Sequence, residues 1–302
     1  MVLRALGLGD ALTALPALRA LVAAFPEYRQ LIAMPRPLEP LLRLAELPFE
    51  LVHAQGLEAP LPAGLRNPHV AVNLHGRGPQ SHRVLAALRP RRLIAFGGPD
   101  GPRWRPDEHE VERWCRMLRE SGIPADPADL RIAAPPPGPL ARPGATVVHP
   151  GAASAARRWP WRRWAAVARH ERAAGREVLL TGSEAERPLA EAVAEAAGLP
   201  AGAVLAGQTG LTDLAGVVGA AGRVTCGDTG VGHLATALGR PSLLLFGPVP
   251  PQEWGPHGAG PRSVRHRVLW AARRGDPHAT SPDPGLLRIS VDDVVEALAE
   301  VG

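Results

Sequence analysis

The sequence predicts an α/β protein with two domains, each built around a parallel sheet. The chain has 302 residues, about twice the common domain size. Short apolar runs alternate with longer amphipathic stretches from end to end, which is typical of strand–helix repeats. Near the middle, the segment Pro135-Pro136-Pro137-Gly138-Pro139 tolerates neither a helix nor a central strand. We therefore expect a Pro-rich hinge between domains 1–137 and 138–302.

The first half begins with a short apolar run and a glycine turn. The predicted strands are Val2–Leu6, Tyr28–Ala33, Glu50–His53, Val70–Leu74 and Leu93–Phe96. The predicted helices are Leu15–Phe25, Gln80–Leu88 and Asp107–Ser121. For the last helix, Asp107 is the expected cap and Gly122 the expected stop.

After the Pro-rich segment the alternation starts again. Thr146–His149 and Val178–Thr181 are predicted strands, and Pro160–Ala174 and Glu184–Ala197 are predicted helices. The pattern continues through Val204–Ala206, Leu211–Ala220, Val224–Gly227, His233–Leu238 and Leu243–Phe246. In parallel sheets of this kind, ligands bind beyond the carboxyl ends of the strands, so the strand-to-helix loops are where we expect the chemistry.

The composition excludes several enzyme classes. Lys and Arg total 34, and all of them are Arg, as a GC-rich genome favours. Without lysine, a Walker A loop, a pyridoxal-phosphate enzyme and a Schiff-base aldolase are excluded. A net charge of +5 suits an anionic small ligand or an anionic membrane surface and is too small to indicate nucleic-acid binding.

The chain also carries signs of its compartment. It starts without a cleavable signal pattern, and no apolar run reaches the length of a membrane span. The cysteines, Cys115 and Cys226, are far apart and form no CxxC motif. We therefore expect reduced thiols in the core of a cytoplasmic protein.

The loop after the first strand, Gly7-Leu8-Gly9-Asp10-Ala11-Leu12, opens like a dinucleotide-binding fingerprint. The third glycine position holds Leu12, and the carboxylate of Asp10 would repel a pyrophosphate, so we reject a dinucleotide there. Two interpretations of Asp10 stay open. It is either a helix N-cap or a general base kept ionised at a helix start.

Three loops in the second half carry features of an anion or nucleotide site. Residues 150–160 place Arg157 and Arg158 just before a helix, as a phosphate cradle or as a solvated loop. In the loop 181–186, Glu186 either accepts hydrogen bonds from a ribose or is simply an acid in a first helical turn. The block 226–235 brings a Thr229 hydroxyl, backbone N–H groups and a helix start to one anion-sized spot; His233 there is a ligand contact or a structural residue.

Other motifs are missing from the sequence. It has no DxD, HExxH or GxSxG motif and no Cys/His cluster. A metal-dependent glycosyltransferase of the other common fold, a zinc hydrolase and a serine hydrolase are therefore disfavoured, and no metal site is expected.

Together, these loops resemble glycosyltransferase family 9, the ADP-heptose:lipopolysaccharide heptosyltransferases and their relatives. The motifs that carry the resemblance are Leu8-Gly9-Asp10, the loop 73–81, His149-Pro150-Gly151, Arg157-Arg158-Trp159-Pro160, Gly182 to Glu186, Asp228 to Ala235, Phe246-Gly247-Pro248 and Trp254-Gly255-Pro256. The family usually has Lys where this chain has Arg157; Arg keeps the charge but binds phosphate as a fork.

The resemblance implies a GT-B fold: two Rossmann-like domains facing across a cleft, with a terminal helix that can return to the first domain. It implies an inverting, metal-independent glycosyltransferase that needs no cofactor and uses ADP-heptose or a related NDP-sugar. The acceptor would be a glycan, a lipid-linked saccharide or a small molecule. A peripheral location at the inner face of the cytoplasmic membrane is compatible with this.

The resemblance also implies roles for individual residues. Asp10 would be the catalytic base, and Glu186 would bind the ribose. Asp228 would contact the donor sugar or its diphosphate, and Thr209 would lie near the nucleobase. The remaining donor-binding residues would be Ser154, Arg157, Gly182, Thr229, Gly230 and His233.

Two other functions remain open from the sequence. A nucleotide-sugar epimerase of GT-B fold would consume the donor without forming a glycosylated product. A non-catalytic nucleotide-binding module would bind ADP and leave the sugar untouched. The Arg-rich loop residues Arg77 and 89–92 would suit an acidic acceptor, or they are plain surface.

Overall fold

The computed structural model describes residues 1–97, 101–257 and 266–301. The chain divides into two compact units, residues 1–130 and 131–302. Each unit contains a five-stranded sheet in which every strand pair is parallel. The predicted α/β class with two parallel sheets is thus confirmed.

The first unit alternates short strands and helices. Its elements are β1 (Val2–Leu3), α1 (Leu8–Thr13), α2 (Leu15–Ala24), β2 (Leu31–Met34), a 3₁₀ turn (Arg36–Leu38), α3 (Glu39–Leu44), β3 (Glu50–His53), a 3₁₀ turn (Ala63–Leu65), β4 (Val70–Asn73), α4 (Gln80–Ala86), β5 (Arg92–Ile94) and α5 (Glu110–Glu120). The strand order is β3-β2-β1-β4-β5.

The second unit repeats the scheme with more helices. Its elements are β6 (Thr146–His149), a 3₁₀ turn (Ala155–Arg157), α6 (Trp161–Ala173), β7 (Val178–Leu180), a 3₁₀ turn (Glu184–Glu186), α7 (Arg187–Ala197), a 3₁₀ turn (Ala201–Ala203), α8 (Leu211–Ala220), β8 (Arg223–Gly227), α9 (Gly230–Ala237), β9 (Ser242–Phe246), α10 (Pro251–Trp254), β10 (His266–Trp270), α11 (Pro284–Arg288) and α12 (Val291–Ala299). The strand order is β10-β9-β8-β6-β7.

Each sheet has one position at which the strand order reverses direction. In the first unit it lies between β1 and β4, and in the second between β6 and β8. At such a switch point the loops after the two strands leave in opposite directions and open a crevice. The fold therefore predicts ligand sites at the loops after β1 and β4 and after β6 and β8.

Packing explains where the second unit begins and ends. In the Pro-rich connection, Ala134 and Pro136 lie against α8 at Gly219 and Gly216, so close that a Cβ at Gly219 would lie 2.9 Å from that of Ala134. Residues 131–137 thus pack with the second unit, although the sequence places them in the first domain. At the other end, α12 contributes Val294 to the core of the second unit, where the resemblance allows for a return to the first.

Helix boundaries differ from the prediction where capping decides them. The helix α5 begins after His109, whose Nδ1 accepts a hydrogen bond from Val111 N at 3.2 Å, so the expectation of Asp107 as its cap is wrong. Gly122 follows the end of this helix with φ +86°, a conformation that glycine adopts without strain. Among the described residues, no helix is long and apolar enough to cross a membrane.

Candidate functional site

Asp10 lies beyond the carboxyl end of β1, at the switch point of the first sheet. It is the third residue of α1, and the N-cap is Gly7, so its interpretation as an N-cap is wrong. The nearby backbone N–H of Gly7 and the charge of Arg4 favour the ionised form of Asp10 and so act to lower its pKa. Burial raises the pKa of Asp10 despite the nearby Arg4, and the side chain remains 29% exposed. A carboxylate that is accessible and more basic than usual suits a general base.

The loop after β4 lies on the other side of the same switch point. The buried side chain of Asn73 shapes it by donating to Gly76 O at 3.0 Å and to Ser81 Oγ at 2.9 Å, while accepting from His75 N at 3.0 Å. Burial, together with the charge of Arg4, lowers the pKa of His75 to about 4. The imidazole is therefore neutral at physiological pH.

Arg157 ends the 3₁₀ turn after β6, at the switch point of the second sheet. Its NH1 lies 3.3 Å from Asp228 O and 3.6 Å from Asp228 Oδ2. The Arg157 side chain is 29% exposed, whereas that of Asp228 is only 8% exposed. Ser154 caps the turn by accepting a hydrogen bond from Ala156 N at 3.3 Å. A buried carboxylate thus orients a partly exposed guanidinium.

The start of α9 lies directly beyond β8. Thr229 is its N-cap in an extended conformation, and Gly230 is the first helical residue. His233, in the first turn, packs edge-on against Trp254 with ring centroids 5.9 Å apart. Gly232 is required because a Cβ there would overlap the side chain of Leu244. The helix start offers backbone N–H groups and a positive dipole end, which together bind anions.

Glu186 occupies the loop after β7. Its Oε2 accepts hydrogen bonds from Ser183 N and Ser183 Oγ, both at 2.8 Å. Burial would raise the pKa of Glu186, but these bonds and the charges of His149 and Arg158 lower it overall. A Cβ at Gly151 would overlap Glu186 Oε1, so only glycine lets the carboxylate lie against the loop after β6. The arrangement presents a half-buried carboxylate, suited to accept from hydroxyls.

Gly182 and Thr209 belong to neighbouring loops. Gly182 O accepts a hydrogen bond from Gly207 N at 2.9 Å, which draws the chain before Thr209 towards the loop after β7. Thr209 is half-buried and precedes α8. The second unit thus carries every predicted donor-binding residue, on loops, turns or a helix start that follow its strands, and the first unit carries Asp10.

Sequence reasoning did not single out two buried residues of the first unit, Arg4 and Glu110. Both contact the network around Asp10 and are almost fully buried. A charged residue inside the predicted apolar strand Val2–Leu6 was the available signal for Arg4. Among the described residues, no group of three or more His, Cys, Asp or Glu side chains could hold a metal ion.

A cavity of about 450 Å³ lies elsewhere in the first unit. It is lined by Met1, Phe25, Tyr28 and His69 among others, at the amino ends of β1, β2 and β4. Since the strands run parallel, this is the opposite edge of the sheet from Asp10. The cavity therefore belongs to neither switch point.

Fold and site together define an α/β protein of two Rossmann-type units. The first carries a partly exposed carboxylate with a raised pKa, and the second carries a partly exposed guanidinium and a helix start after neighbouring strands. Residues 104–282, more than half of the chain, match "Glycosyltransferase family 9 (heptosyltransferase)". "Lipooligosaccharide heptosyltransferase 2" of Haemophilus influenzae is 34% identical over 153 residues, which are 48% of this chain and 43% of that protein. The chain thus spans less than half the length of this curated relative.

Solved structures agree over almost the whole chain. E. coli ADP-heptose lps heptosyltransferase II matches with a TM-score of 0.75 and 20% identity, covering 99% of this chain and 97% of that one. E. coli heptosyltransferase WaaC with ADP matches with a TM-score of 0.72 and 18% identity, covering 99% and 98%. The fold is GT-B, as the resemblance implied. The chain belongs to glycosyltransferase family 9.

Proposed function

We propose that the protein is an inverting, metal-independent glycosyltransferase that transfers a heptose-type sugar from ADP-heptose, or a related NDP-sugar, to a hydroxyl acceptor. The observation that carries the proposal is the opposite polarity of the two switch points. One exposes a basic carboxylate, and the other exposes a guanidinium beside a helix start. The family and the relatives that carry heptosyltransferase names support the choice of reaction and donor.

In the first unit, Asp10 accepts the proton of the acceptor hydroxyl. The hydroxyl oxygen then forms a bond to the anomeric carbon, and the bond from that carbon to the diphosphate oxygen breaks. Attack on the side opposite the leaving group inverts the anomeric configuration. The raised pKa of Asp10 makes its carboxylate a stronger base than an exposed aspartate.

In the second unit, the leaving diphosphate gains negative charge as the bond breaks. Arg157 and the N–H groups at Thr229 and Gly230 stabilise that charge, and the loss of one such donor typically costs about 3 kcal/mol of transition-state stabilisation. Ser154 and His233 complete the diphosphate site, and Asp228 holds Arg157 in place.

The adenosine end of the donor occupies the loops after β7 and before α8. Glu186 accepts hydrogen bonds from the ribose, because its carboxylate is ionised, half-buried and fixed by Ser183. Gly182 allows close approach at this loop, and Thr209 lies beside the nucleobase. No cofactor takes part in this scheme.

A cytoplasmic location, with or without contact to the inner face of the membrane, is part of the proposal. The free cysteines Cys115 and Cys226 are both buried, as in a reducing compartment. The acceptor is a glycan, a lipid-linked saccharide or a small molecule. Cell-wall glycans are candidate acceptors as well as lipopolysaccharide, because GC-rich genomes include those of cells without an outer membrane.

The decisive experiment incubates the purified protein with ADP-, GDP- and UDP-sugars, ADP-heptose among them, and with a panel of core saccharides and small glycosides. Mass spectrometry follows the released nucleotide and the glycosylated product, and NMR coupling constants report the anomeric configuration. We expect ADP release that requires acceptor, inversion, and no effect of EDTA. An epimerised donor without a glycosylated product, bound ADP with an untouched sugar, or loss of activity in EDTA would each contradict the proposal.

A further inference from the structure

Arg4 follows β1 directly and is 1% exposed. Its Nε donates to Asp10 O at 2.9 Å, its NH1 donates to Leu74 O, and its NH2 lies 3.3 Å from Thr13 Oγ1. The same NH2 lies 3.1 Å from Glu110 Oε1 and 3.5 Å from Asp10 Oδ1. One guanidinium therefore connects β1, the residue after β4, α1 and α5.

Glu110, the first residue of α5, is itself firmly held. Its side chain is 5% exposed and accepts hydrogen bonds from Trp114 Nε1 at 2.8 Å and from Arg113 NH1. Arg113 is anchored in turn by donating to Glu108 O at 2.7 Å. The guanidinium carbon of Arg4 lies 4.9 Å from the centre of the Trp114 ring. Glu110 is therefore a fixed negative charge rather than a mobile surface group.

Arg4 is thus shared between two carboxylates of different accessibility. The shorter contact goes to buried Glu110, and the longer one to partly exposed Asp10. If Arg4 paired with Asp10 alone, its buried guanidinium would stabilise the ionised carboxylate of Asp10. Asp10 would then be a weaker base. Sharing with Glu110 keeps the orienting contact while part of the positive charge is already balanced.

The charged and titratable groups that face Asp10 or its neighbours Arg4 and Glu110 come from several elements. Arg4 follows β1, Glu110 and Arg113 belong to α5, and His75 follows β4. His75 is neutral above a pH of about 4, and Arg113 is paired with Glu110. The charges that act directly on Asp10 are therefore those of Arg4 and Glu110, with opposite signs.

We propose that Arg4 and Glu110 are positioning residues for Asp10: Arg4 fixes the carboxylate, and Glu110 shares the guanidinium so that Asp10 stays available as a proton acceptor. This inference rests on the proposed role of Asp10 as the base. It assigns to α5, far along the chain, a function in the chemistry at β1.

The inference requires opposite effects from two neutralising variants. Glu110→Gln leaves the charge of Arg4 unbalanced, so the pKa of Asp10 falls. Arg4→Gln removes the positive charge, so the pKa of Asp10 rises. The upward shift should be the larger, because Arg4 acts on Asp10 more strongly than Glu110 does. A loss of packing alone would not produce shifts of opposite sign.

The experiment follows the ¹³Cγ resonance of Asp10 through a pH titration of labelled protein, with the resonance assigned by its loss in Asp10→Asn. Circular dichroism first confirms that each variant is folded. Glu110→Asp is the conservative variant, because it keeps the negative charge but moves it back by one methylene group. The pKa of Asp10 in this variant should lie between its values in the wild type and in Glu110→Gln. It also serves as the test variant if Glu110→Gln does not fold.

Glu108→Gln is the matched control. Glu108 forms a largely buried ion pair in the same unit, with Oε1 and Oε2 at 2.6 and 2.7 Å from Arg116. Within the described part of the chain, its side chain pairs with neither Arg4 nor Asp10. This variant should lose stability and leave the Asp10 titration unchanged. Equal shifts in Glu108→Gln and Glu110→Gln would mean that only general loosening of α5 is being observed, and would overturn the inference.

Kinetics with ADP-heptose and a core-saccharide acceptor give the second readout. In Glu110→Gln the acidic limb of the kcat profile should move to lower pH and kcat should fall, while the donor KM stays within about twofold. Unshifted titrations in folded Arg4 and Glu110 variants, or shifts of the same sign, contradict the inference even if transfer is confirmed. If Asp10→Asn retains full turnover while the opposite shifts are observed, the proposed base is wrong and the charge coupling stands.

Discussion

Each unit contains an ion pair between one buried and one partly exposed side chain, and the signs of the two charges are exchanged between the units. In the first, a buried Arg4 lies 3.5 Å from Asp10, which is 29% exposed. In the second, a buried Asp228 lies 3.6 Å from Arg157, which is also 29% exposed. Each pair sits at the switch point of a five-stranded parallel sheet. The polarity is reversed: the accessible member is a carboxylate in the first unit and a guanidinium in the second.

The reversal shows how one topology can supply two kinds of chemistry. The sheet determines where the loops open, and the buried member of each pair determines which charge faces the ligand. A buried charge attracts the opposite charge, so Asp228 orients Arg157 and Arg4, which is shared with Glu110, orients Asp10. We expect proton acceptance at the first switch point and anion binding at the second.

The largest expected effect comes from removing the accessible acid. Asp10→Asn keeps the shape of the side chain but abolishes proton acceptance, so kcat should fall by about 10²–10⁴-fold. Calorimetric affinity for ADP should stay unchanged, since the predicted donor residues belong to the second unit. A variant with near wild-type turnover would show that Asp10 is not the base.

Removing the accessible cation, Arg157, should have a smaller effect, and the effect should be on the affinity for the nucleotide. Arg157→Ala should weaken ADP binding by about 10- to 100-fold, equivalent to roughly 1.4–3 kcal/mol. Adenosine, which lacks the diphosphate, should bind as before, and Arg157→Lys should restore most of the affinity. Arg162, exposed on α6 over Trp161, provides the control: Arg162→Ala should not change either affinity. An equal loss for ADP and adenosine would remove Arg157 from the diphosphate site.

A substitution at Gly151, which packs against Glu186, tests the proposed ribose site without changing the Glu186 side chain itself. A Cβ at Gly151 overlaps the end of the flexible Glu186 side chain, so Gly151→Ala should displace the carboxylate and leave the fold intact. ADP affinity should fall several-fold, about 1 kcal/mol for a lost hydrogen bond, whereas 2′,3′-dideoxy-ADP should be unaffected. Gly202→Ala, where no atom lies within 4 Å of the new Cβ, is the control. Equal losses for both nucleotides would place Glu186 away from the ribose.

The smallest expected effect is on stability. Because the folded-state pKa of Asp10 is raised above 3.8, the folded state binds more protons than the unfolded state above that pH. Ionised Asp10 therefore costs stability, and the cost is complete only above its folded pKa. Asp10→Asn removes this cost. The melting temperature of the variant minus that of the wild type should therefore be larger at neutral pH than below pH 3.8. A difference that does not depend on pH would mean that Asp10 is not strained in its charged form.

Much of the fold follows from local pattern. The strands Glu50–His53 and Thr146–His149 and the helix Leu211–Ala220 have the predicted bounds, because short apolar runs and helical periodicity end at clear turn residues. The helix α1 was not predicted, since Gly7 and Gly9 suggest a turn. The helix begins after Gly7, which is extended, and it places the acidic Asp10 in its first turn, where the helix dipole favours a negative charge.

The strand β10 was also not predicted. His266–Trp270 contains charged residues and has no clear alternation, and it becomes a strand through parallel pairing with β9 from Ser242 to Phe246. Such pairing is a tertiary contact, so the local sequence of His266–Trp270 does not predict it. The same holds for the connection 131–137, whose packing on α8 depends on small residues that only the folded unit brings together.

The sequence by itself determined the class of fold and the family and predicted the loops proposed to carry the chemistry, because each depends on residues close together in the chain. The tertiary structure alone decided which charges are paired. Arg4 and Glu110 are 106 residues apart, and Arg157 and Asp228 are 71 apart, so no local pattern connects them. Burial makes these pairings selective, since a charge removed from water must find its partner, and that partner is set by how the sheets and helices pack.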